Sequence, residues 1–197
     1  VSEPHVLISG TCVHTTMPEP LMWAHRQVLR GEPRCTLDFF REKRTLVHAR
    51  NMQVWRFLET PCTHLFILDS DAVPSDGCLL RMTAMDVPLV AAPHMTQIGD
   101  EIGPMVLDAT ENRGEYVQHK PWTSLQPCQA VGCAGMLIRR DVLEKLEPPW
   151  FADEYDERGL LQSSEDFYFC RKFLDAGYQV VWADFESVQR HWLGRWV

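Results

Sequence analysis

The sequence contains no apolar run long enough to cross a membrane, and no basic stretch followed by an apolar one near its start. These two absences set aside a spanning helix and a signal peptide, so the expectation is a soluble, unprocessed chain with no membrane partner. It also lacks any CxxC pair. The seven cysteines are odd in number and scattered, which argues against a disulfide framework and a structural zinc site. Cys62, Cys133 and Cys170 lie in apolar neighbourhoods and read as small core residues. A reducing cytoplasm is the compartment that suits them. Basic charge is in deficit as well. The formal net charge of −8 opposes a protein that grips nucleic acid by bulk electrostatics, although the basic residues between Arg41 and Arg56 leave room for a local channel.

What is present is an ordinary globular composition. With 197 residues, 45% hydrophobic and 23% charged, a single domain over 1–197 is the default, and such a chain buries about 70% of its unfolded surface.

The most informative stretch is His64 to Gly77, HLFILDSDAVPSDG. Leu65 to Leu68 run unbroken into Asp69-Ser70-Asp71, and Pro74, Asp76 and Gly77 signal a turn. A short apolar run closed by turn residues reads as a buried strand, and in an α/β sheet ligands sit beyond the carboxyl ends of such strands. Two carboxylates there need a partner, because buried charge must be paired or metal-bound. Oxygen ligands suit Mg, Mn or Ca, with a diphosphate to complete the shell. A solvated turn is the plainer alternative. An EF-hand is excluded, since its sixth position requires glycine and here holds Pro74.

Around that stretch the chain alternates. Val6 to Ser9 reads as a strand with Gly10 after it, and the loop Thr11 to Pro20 falls at its carboxyl end, as either a nucleotide contact or a polar connection. Leu21 to Arg30 reads as a helix stopped by Gly31, and Cys35 to Phe40 as a strand. Thr45 to Glu59 is the clearest helix, ended by Thr60-Pro61, with Val47, Asn51, Val54 and Leu58 on one face. Asn51 is the polar exception there, and needs either a ligand or a neighbouring loop as its partner. Arg44, His48 and Arg50 gather at the same helix end, which suits a diphosphate or is simply a solvated face.

A helix from Ser75 to Met85 and a strand from Pro88 to Ala92 follow, and His94 to Pro127 reads as irregular. Gly132-Cys133-Ala134-Gly135 leads into a strand at Met136 to Ile138, the two glycines permitting close approach of a ligand or of a second backbone. Asp141 with Glu144 forms a capping-box pattern for a short helix, and Asp153 to Gly159 reads as a flexible acidic segment. Ser163-Ser164-Glu165-Asp166 opens a helix stopped by Gly177, a pattern that serves capping as readily as catalysis. Tyr178 to Ala183 is the last strand. The order of elements predicts an α/β fold with a central, mostly parallel sheet flanked by helices.

Five features in order resemble the GT-A class of nucleotide-sugar glycosyltransferases. They are Arg50-Asn51, FILDSDAVPSDG, GCAGMLIRRDVLEKL, SSEDFYFCRKFLDAG and the late VQRHW. They cover most of Thr45 to Trp192, and the compact length is most similar to small phage and viral enzymes of the class, some of which act on hydroxymethylated DNA bases.

The resemblance implies a Rossmann-like GT-A domain, with 1–93 as the nucleotide-binding half and 94–197 as the acceptor-binding and catalytic half. It implies an Mn²⁺- or Mg²⁺-dependent hexosyl transfer, with Asp71, Asp69 and His191 at the metal. Arg50, Asn51, Arg44, Asp69, Gly132, Gly135 and Glu165 would meet a UDP-sugar, and Asp166 would be the base of an inverting reaction. The acceptor would be 5-hydroxymethylcytosine or 5-hydroxymethyluracil in DNA, or else a glycan or protein hydroxyl. Trp122, Trp150 and Trp192 are candidates to stack on a base or sugar. A catalytically silent binder of nucleotide-sugar or glycan on the same fold is the non-enzymatic alternative.

Overall fold

Leu65 to Leu68 become the buried middle of a seven-stranded sheet. The computed structural model describes residues 3–12, 18–41, 44–98, 101–110, 116–118, 120, 124–179 and 181–192. Of the loop expected over Thr11 to Pro20, residues 13–17 lie outside them, as does Trp122, while Thr11 and Cys12 end the first strand and Pro18 to Pro20 begin the first helix.

In chain order the first half forms β1 (His5–Cys12), α1 (Pro18–Arg30), β2 (Arg34–Arg41), α2 (Leu46–Leu58), β3 (His64–Leu68), the short β4 (Ala72–Val73), α3 (Cys78–Ala84) and β5 (Leu89–Ala91). Two hairpin arms follow: β6 (Met95–Ile98) with β7 (Glu101–Pro104), and β8 (Val106–Ala109) with β9 (Tyr116–Gln118). The chain then makes β10 (Leu125–Cys128), β11 (Ala130–Val131), β12 (Met136–Arg139), α4 (Arg140–Lys145), the pair β13 (Glu154–Tyr155) and β14 (Leu161–Ser163), α5 (Glu165–Asp175), β15 (Val181–Asp184), a 3₁₀ turn (Phe185–Ser187) and β16 (Arg190–His191).

The main sheet has the order β10-β15-β5-β12-β3-β1-β2. β1, β2, β3, β5 and β15 point one way, while β12 and β10 run against them. It is thus a mostly parallel sheet with β12, from the second half of the chain, inserted between β3 and β5 from the first.

Side chains alternate across each strand, so the sheet has two cores. Leu65 and Ile67 face α2, α4 and α5 with Val54, Phe57, Val142 and Phe169, whereas Phe66 and Leu68 face α1 and α3 with Trp23, Cys78 and Leu79. Fully burying one such side chain contributes about 1.5–3 kcal/mol.

The helix from Thr45 to Glu59 forms as read, with Thr45 as its N-cap accepting from the His48 amide at 3.2 Å. Its deepest face differs from the expected one, because Ala49, Arg50, Gln53, Val54 and Phe57 are buried while Val47, Asn51 and Leu58 are half-buried.

Three local readings need correction. The described residues of 94–127 are largely paired strand, since short strands interrupted by Gly and Pro carry no readable period yet still satisfy their backbone by pairing. The acidic segment 153–159 is a hairpin, whose turn is tied by Asp156 accepting from the amides of Arg158 (2.9 Å) and Leu160 (2.8 Å). Asp141 does not cap α4. Its carboxylate is taken by Arg139 at 2.6 and 2.9 Å, and Arg139 itself is the N-cap residue. The helix expected over 75–85 is Cys78–Ala84, and the last strand starts at Val181. The six described free cysteines are all buried. Among the described residues no helix is long and apolar enough to cross a membrane.

Candidate functional site

β3 delivers its two aspartates at the carboxyl edge of the sheet, and they are treated differently. Asp69 faces Arg50, whose Nη2 lies 2.6 Å from Oδ1. Asp71 faces His191, whose Nε2 lies 3.4 Å from Oδ2. The second pairing is made by backbone. β4 and β16 form an antiparallel ladder that sets Ala72 opposite His191, and the Trp192 amide donates to the Asp71 carbonyl at 2.9 Å.

The Asp71–His191 contact carries a chemical constraint. His191 Nδ1 lies 3.2 Å from the Met95 carbonyl, an acceptor, so Nδ1 must carry the proton and donate. A neutral imidazole then turns the Nε2 lone pair toward a carboxylate oxygen. Two acceptors at that distance need a proton or a cation between them. A proton there accounts for the directions of titration. Asp71 is held below the usual carboxylate range by its hydrogen bond with His191, and His191 is raised chiefly by the same bond. A divalent ion fits equally well, since cis ligands at about 2.1 Å stand about 3 Å apart. The Nδ1–carbonyl bond is the outer-shell contact that orients a ligating histidine. Among the described residues no three His, Cys, Asp or Glu side chains gather into a ready-made ligand set. Asp71 and His191 are brought together, and Asp69 is turned to Arg50.

Arg50 is 1% exposed. Besides Asp69, it has Glu165 Oε1 3.7 Å from Nε, and its Nη1 donates to Gln53 Oε1 at 3.4 Å. Gln53 in turn donates to the Ser9 carbonyl at 2.8 Å, tying the cluster to β1. Burial works against the guanidinium charge, but Asp69, Cys133 and Glu165 outweigh it and raise its pKa.

Glu165 and Asp166 open α5. Burial, reinforced by the Asp166 charge and opposed by Arg50, lifts Glu165 to about 7. Asp166 is also raised by burial, against the pull of two donors to Oδ1: the Ser164 hydroxyl at 2.5 Å and the Phe167 amide at 2.9 Å. Ser164 is the N-cap residue, yet its side chain serves Asp166 and not a helix amide. The pattern SSED therefore yields a braced carboxylate where capping was the alternative.

The remaining predicted residues are placed by their contacts with the protein. Asn51 meets the neighbouring loop: Nδ2 donates to the carbonyls of Phe151 (2.8 Å) and Val47 (2.9 Å), and Oδ1 accepts from the amides of Trp150 (3.0 Å) and Phe151 (3.3 Å). The groups that Arg50 and Asn51 meet here are thus protein ones, the Asp69 carboxylate and the loop at Trp150 and Phe151. Arg44 is exposed at the start of α2, 2.8 Å from His48 Nε2. The close approach that Gly132 and Gly135 permit is made by protein. A Cβ on Gly132 would meet His94 Cε1 at 2.2 Å, and one on Gly135, which has φ +74°, would meet Gln189 Nε2 at 2.2 Å. Trp150 is core, donating from Nε1 to the Leu143 carbonyl at 3.0 Å and standing edge-on to Trp55. Trp192 is 37% exposed beside His191.

Sequence reading missed His94, Gln53 and Gln189. His94 stacks edge-on against His191, with ring centroids 5.2 Å apart, and its buried Nδ1 has no hydrogen-bond partner. Burial, then the neighbouring His191, lowers it to about 4. Its position just past the buried strand β5, at the ligand edge of the sheet, was the available signal.

No family model and no curated protein matches this sequence. Solved structures do match in fold. A197 from STIV is 16% identical, with 96% of this chain and 86% of that one aligned and a TM-score of 0.65. GalNAc-T7, solved with UDP, GalNAc and Mn²⁺, is 13% identical with a TM-score of 0.57. In that case 95% of this chain aligns with 43% of the other, so the chain spans less than half of it. At these identities the likeness is one of fold, and the fold is GT-A-like.

Proposed function

We propose that the protein is a metal-dependent glycosyltransferase that moves a sugar from a nucleotide-sugar, a UDP-sugar by family habit, to an acceptor hydroxyl. The observation that carries this is the pair of acceptor atoms on Asp71 and His191, 3.4 Å apart at the carboxyl edge of a GT-A-like sheet. Asp71 and His191 would hold Mn²⁺ or Mg²⁺, which when bound acts as a Lewis acid on the leaving diphosphate. Imidazole among the ligands favours manganese. GalNAc-T7, which shares the fold, was solved with UDP and Mn²⁺.

This chain's own residues then have distinct tasks. Arg50 neutralises Asp69 and keeps that carboxylate aimed along the turn. Asp166 is the base. It takes the proton of the acceptor hydroxyl as that oxygen bonds to the anomeric carbon, while the bond from that carbon to the diphosphate breaks and its electron pair leaves with the diphosphate. Attack from the face opposite the leaving group inverts the anomeric centre. Ser164 and the Phe167 amide hold one Asp166 oxygen, leaving the other for the acceptor. Residues 1–93 supply most of the nucleotide side and 94–197 the acceptor side.

The acceptor we favour is a glycan or protein hydroxyl. The β13–β14 hairpin leading into α5 carries Asp153, Glu154, Asp156 and Glu157, and it packs on α5 through Glu154 and Arg171 at 2.5 Å. Arg158 and Arg171 pair with two of these four carboxylates, Asp153 and Glu157 add to the acidic side, and the whole chain's net charge of −8 repels the phosphates that hydroxymethylated DNA would bring. The test is nucleotide release from UDP-, GDP- and TDP-sugars with Mn²⁺, offered sugar, peptide and hydroxymethylated-DNA acceptors in parallel. One donor consumed with a sugar or peptide acceptor supports the proposal, and consumption only with the DNA would reverse the choice of acceptor. Metal-dependent donor binding without release from any combination would mean a binding protein on this fold.

A further inference from the structure

Gln189 is fully buried, two residues before His191, and its side chain enters the slot that Gly135 leaves open. Its Nε2 donates to the carbonyls of Ala92 and Ala134, each at 2.6 Å. Two carbonyl acceptors fix which end of the amide points inward, because only NH₂ can serve both. One carbonyl lies just past β5 and the other just before β12, so the amide crosslinks the ends of two central strands. Its backbone is stitched to the same edge, with the Gln189 amide donating to the Pro93 carbonyl at 2.8 Å and its carbonyl accepting from Met95 at 3.4 Å. The segment is extended, so residues 189 and 191 project on one side of it.

Gly135 is required twice over. Its φ of +74° suits glycine, and any Cβ would stand 2.2 Å from Gln189 Nε2 and 3.0 Å from the Ala92 carbonyl.

We propose that Gln189 is a positioning residue, latched in the Gly135 slot, that fixes the 189–192 segment so that the His191 imidazole is held on Asp71. The latch explains why His191 keeps its register although β16 and β4 are only two residues long. This rests on the proposed metal role of Asp71 and His191 for its functional consequence, but not for its geometry.

The test compares the wild-type chain with Gln189→Met, Gln189→Ala, Gly135→Ala and the double variant Gly135→Ala/Gln189→Ala. Two quantities are read: hydrogen exchange of the Trp192 amide, which bonds Asp71, and binding of Mn²⁺ alone by its free-ion spin resonance. Methionine keeps the length and bulk of glutamine and removes both donated hydrogens. It should speed Trp192 exchange at least tenfold and weaken Mn²⁺ about tenfold, with exchange in β1 and β3 unchanged. Gly135→Ala, an independent probe should Gln189→Met not fold, should act in the same direction. The double variant should be no worse than Gly135→Ala alone, because the two side chains compete for one slot. Unchanged Trp192 exchange in the single variants, or effects of Gly135→Ala and Gln189→Ala that simply add, would overturn the latch. Faster Trp192 exchange in a protein whose wild type and Asp71→Ala forms bind Mn²⁺ alike would keep the latch and remove the metal assignment.

Discussion

Arg50 Nη2 stands 2.6 Å from Asp69 Oδ1, while Asp71, two residues on, is left to face His191. The buried arginine thereby separates two otherwise similar carboxylates. One is paired with a buried guanidinium, and the other with an imidazole at the sheet edge. Arg50 also stands between Asp69 and Glu165, so it joins the end of β3 to the start of α5.

Arg50→Ala should therefore cost stability more than a surface charge would. It leaves Asp69 and the buried Glu165 without their common counter-ion, and breaking a buried pair costs about 3–5 kcal/mol. Chemical denaturation gives the value. A loss below about 1 kcal/mol, the range of exposed pairs, would show that Arg50 is not the counter-ion described.

Asp166→Asn should lower turnover by about 10²–10⁴, the usual contribution of a general base, with donor affinity little changed. Ser164→Ala should show a smaller loss of the same kind, since it frees the Asp166 oxygen that the hydroxyl holds. Single-turnover kinetics with saturating donor separate the two parameters. Normal turnover in Asp166→Asn removes Asp166 from the mechanism.

Asp71→Asn and His191→Ala should each abolish the metal dependence of donor binding, read by calorimetry with UDP in the presence and absence of Mn²⁺. If the dependence survives in both variants, the ion sits elsewhere.

Glu165 supplies a pH signature. Burial raises its folded pKa from 4.5 to about 7, so the folded state holds this proton more tightly than the unfolded chain. The resulting stabilisation is fully present below about pH 4.5, falls as pH rises, and is lost once pH passes about 7. Glu165→Gln should flatten the decline in melting temperature across that window. An unaltered decline would assign it to other groups.

Asn51→Ala removes the three bonds that Asn51 makes to the backbone of Trp150 and Phe151. A loss of about 1–3 kcal/mol is expected from the buried groups left unpaired, with unchanged donor affinity. Weakened donor binding at full stability would instead return Asn51 to the ligand.

Local pattern was enough to make the core and the ligand edge legible. The apolar run before Asp69, the helix bounded by Thr45 and Pro61, and the alternation of strands with helices are short-range signals that burial then enforces. The SSED stretch marked the start of α5 with capping and catalysis as its two open readings, and the bracing of Asp166 by Ser164 came only with the structure. Other features depend on contacts distant in sequence. That Asn51 serves a loop 100 residues away, that Gly135 leaves room for Gln189, and that His94 lies against His191 depend on which strand ends share the edge of the sheet. The sequence by itself determined where charge and backbone freedom would be concentrated, because helix caps, turns and buried strands are written in neighbouring residues. Only the tertiary structure decided which partner each charge met. Pairing is a matter of spatial distance, and the insertion of β12 between β3 and β5, with β16 folded back onto β4, sets those distances.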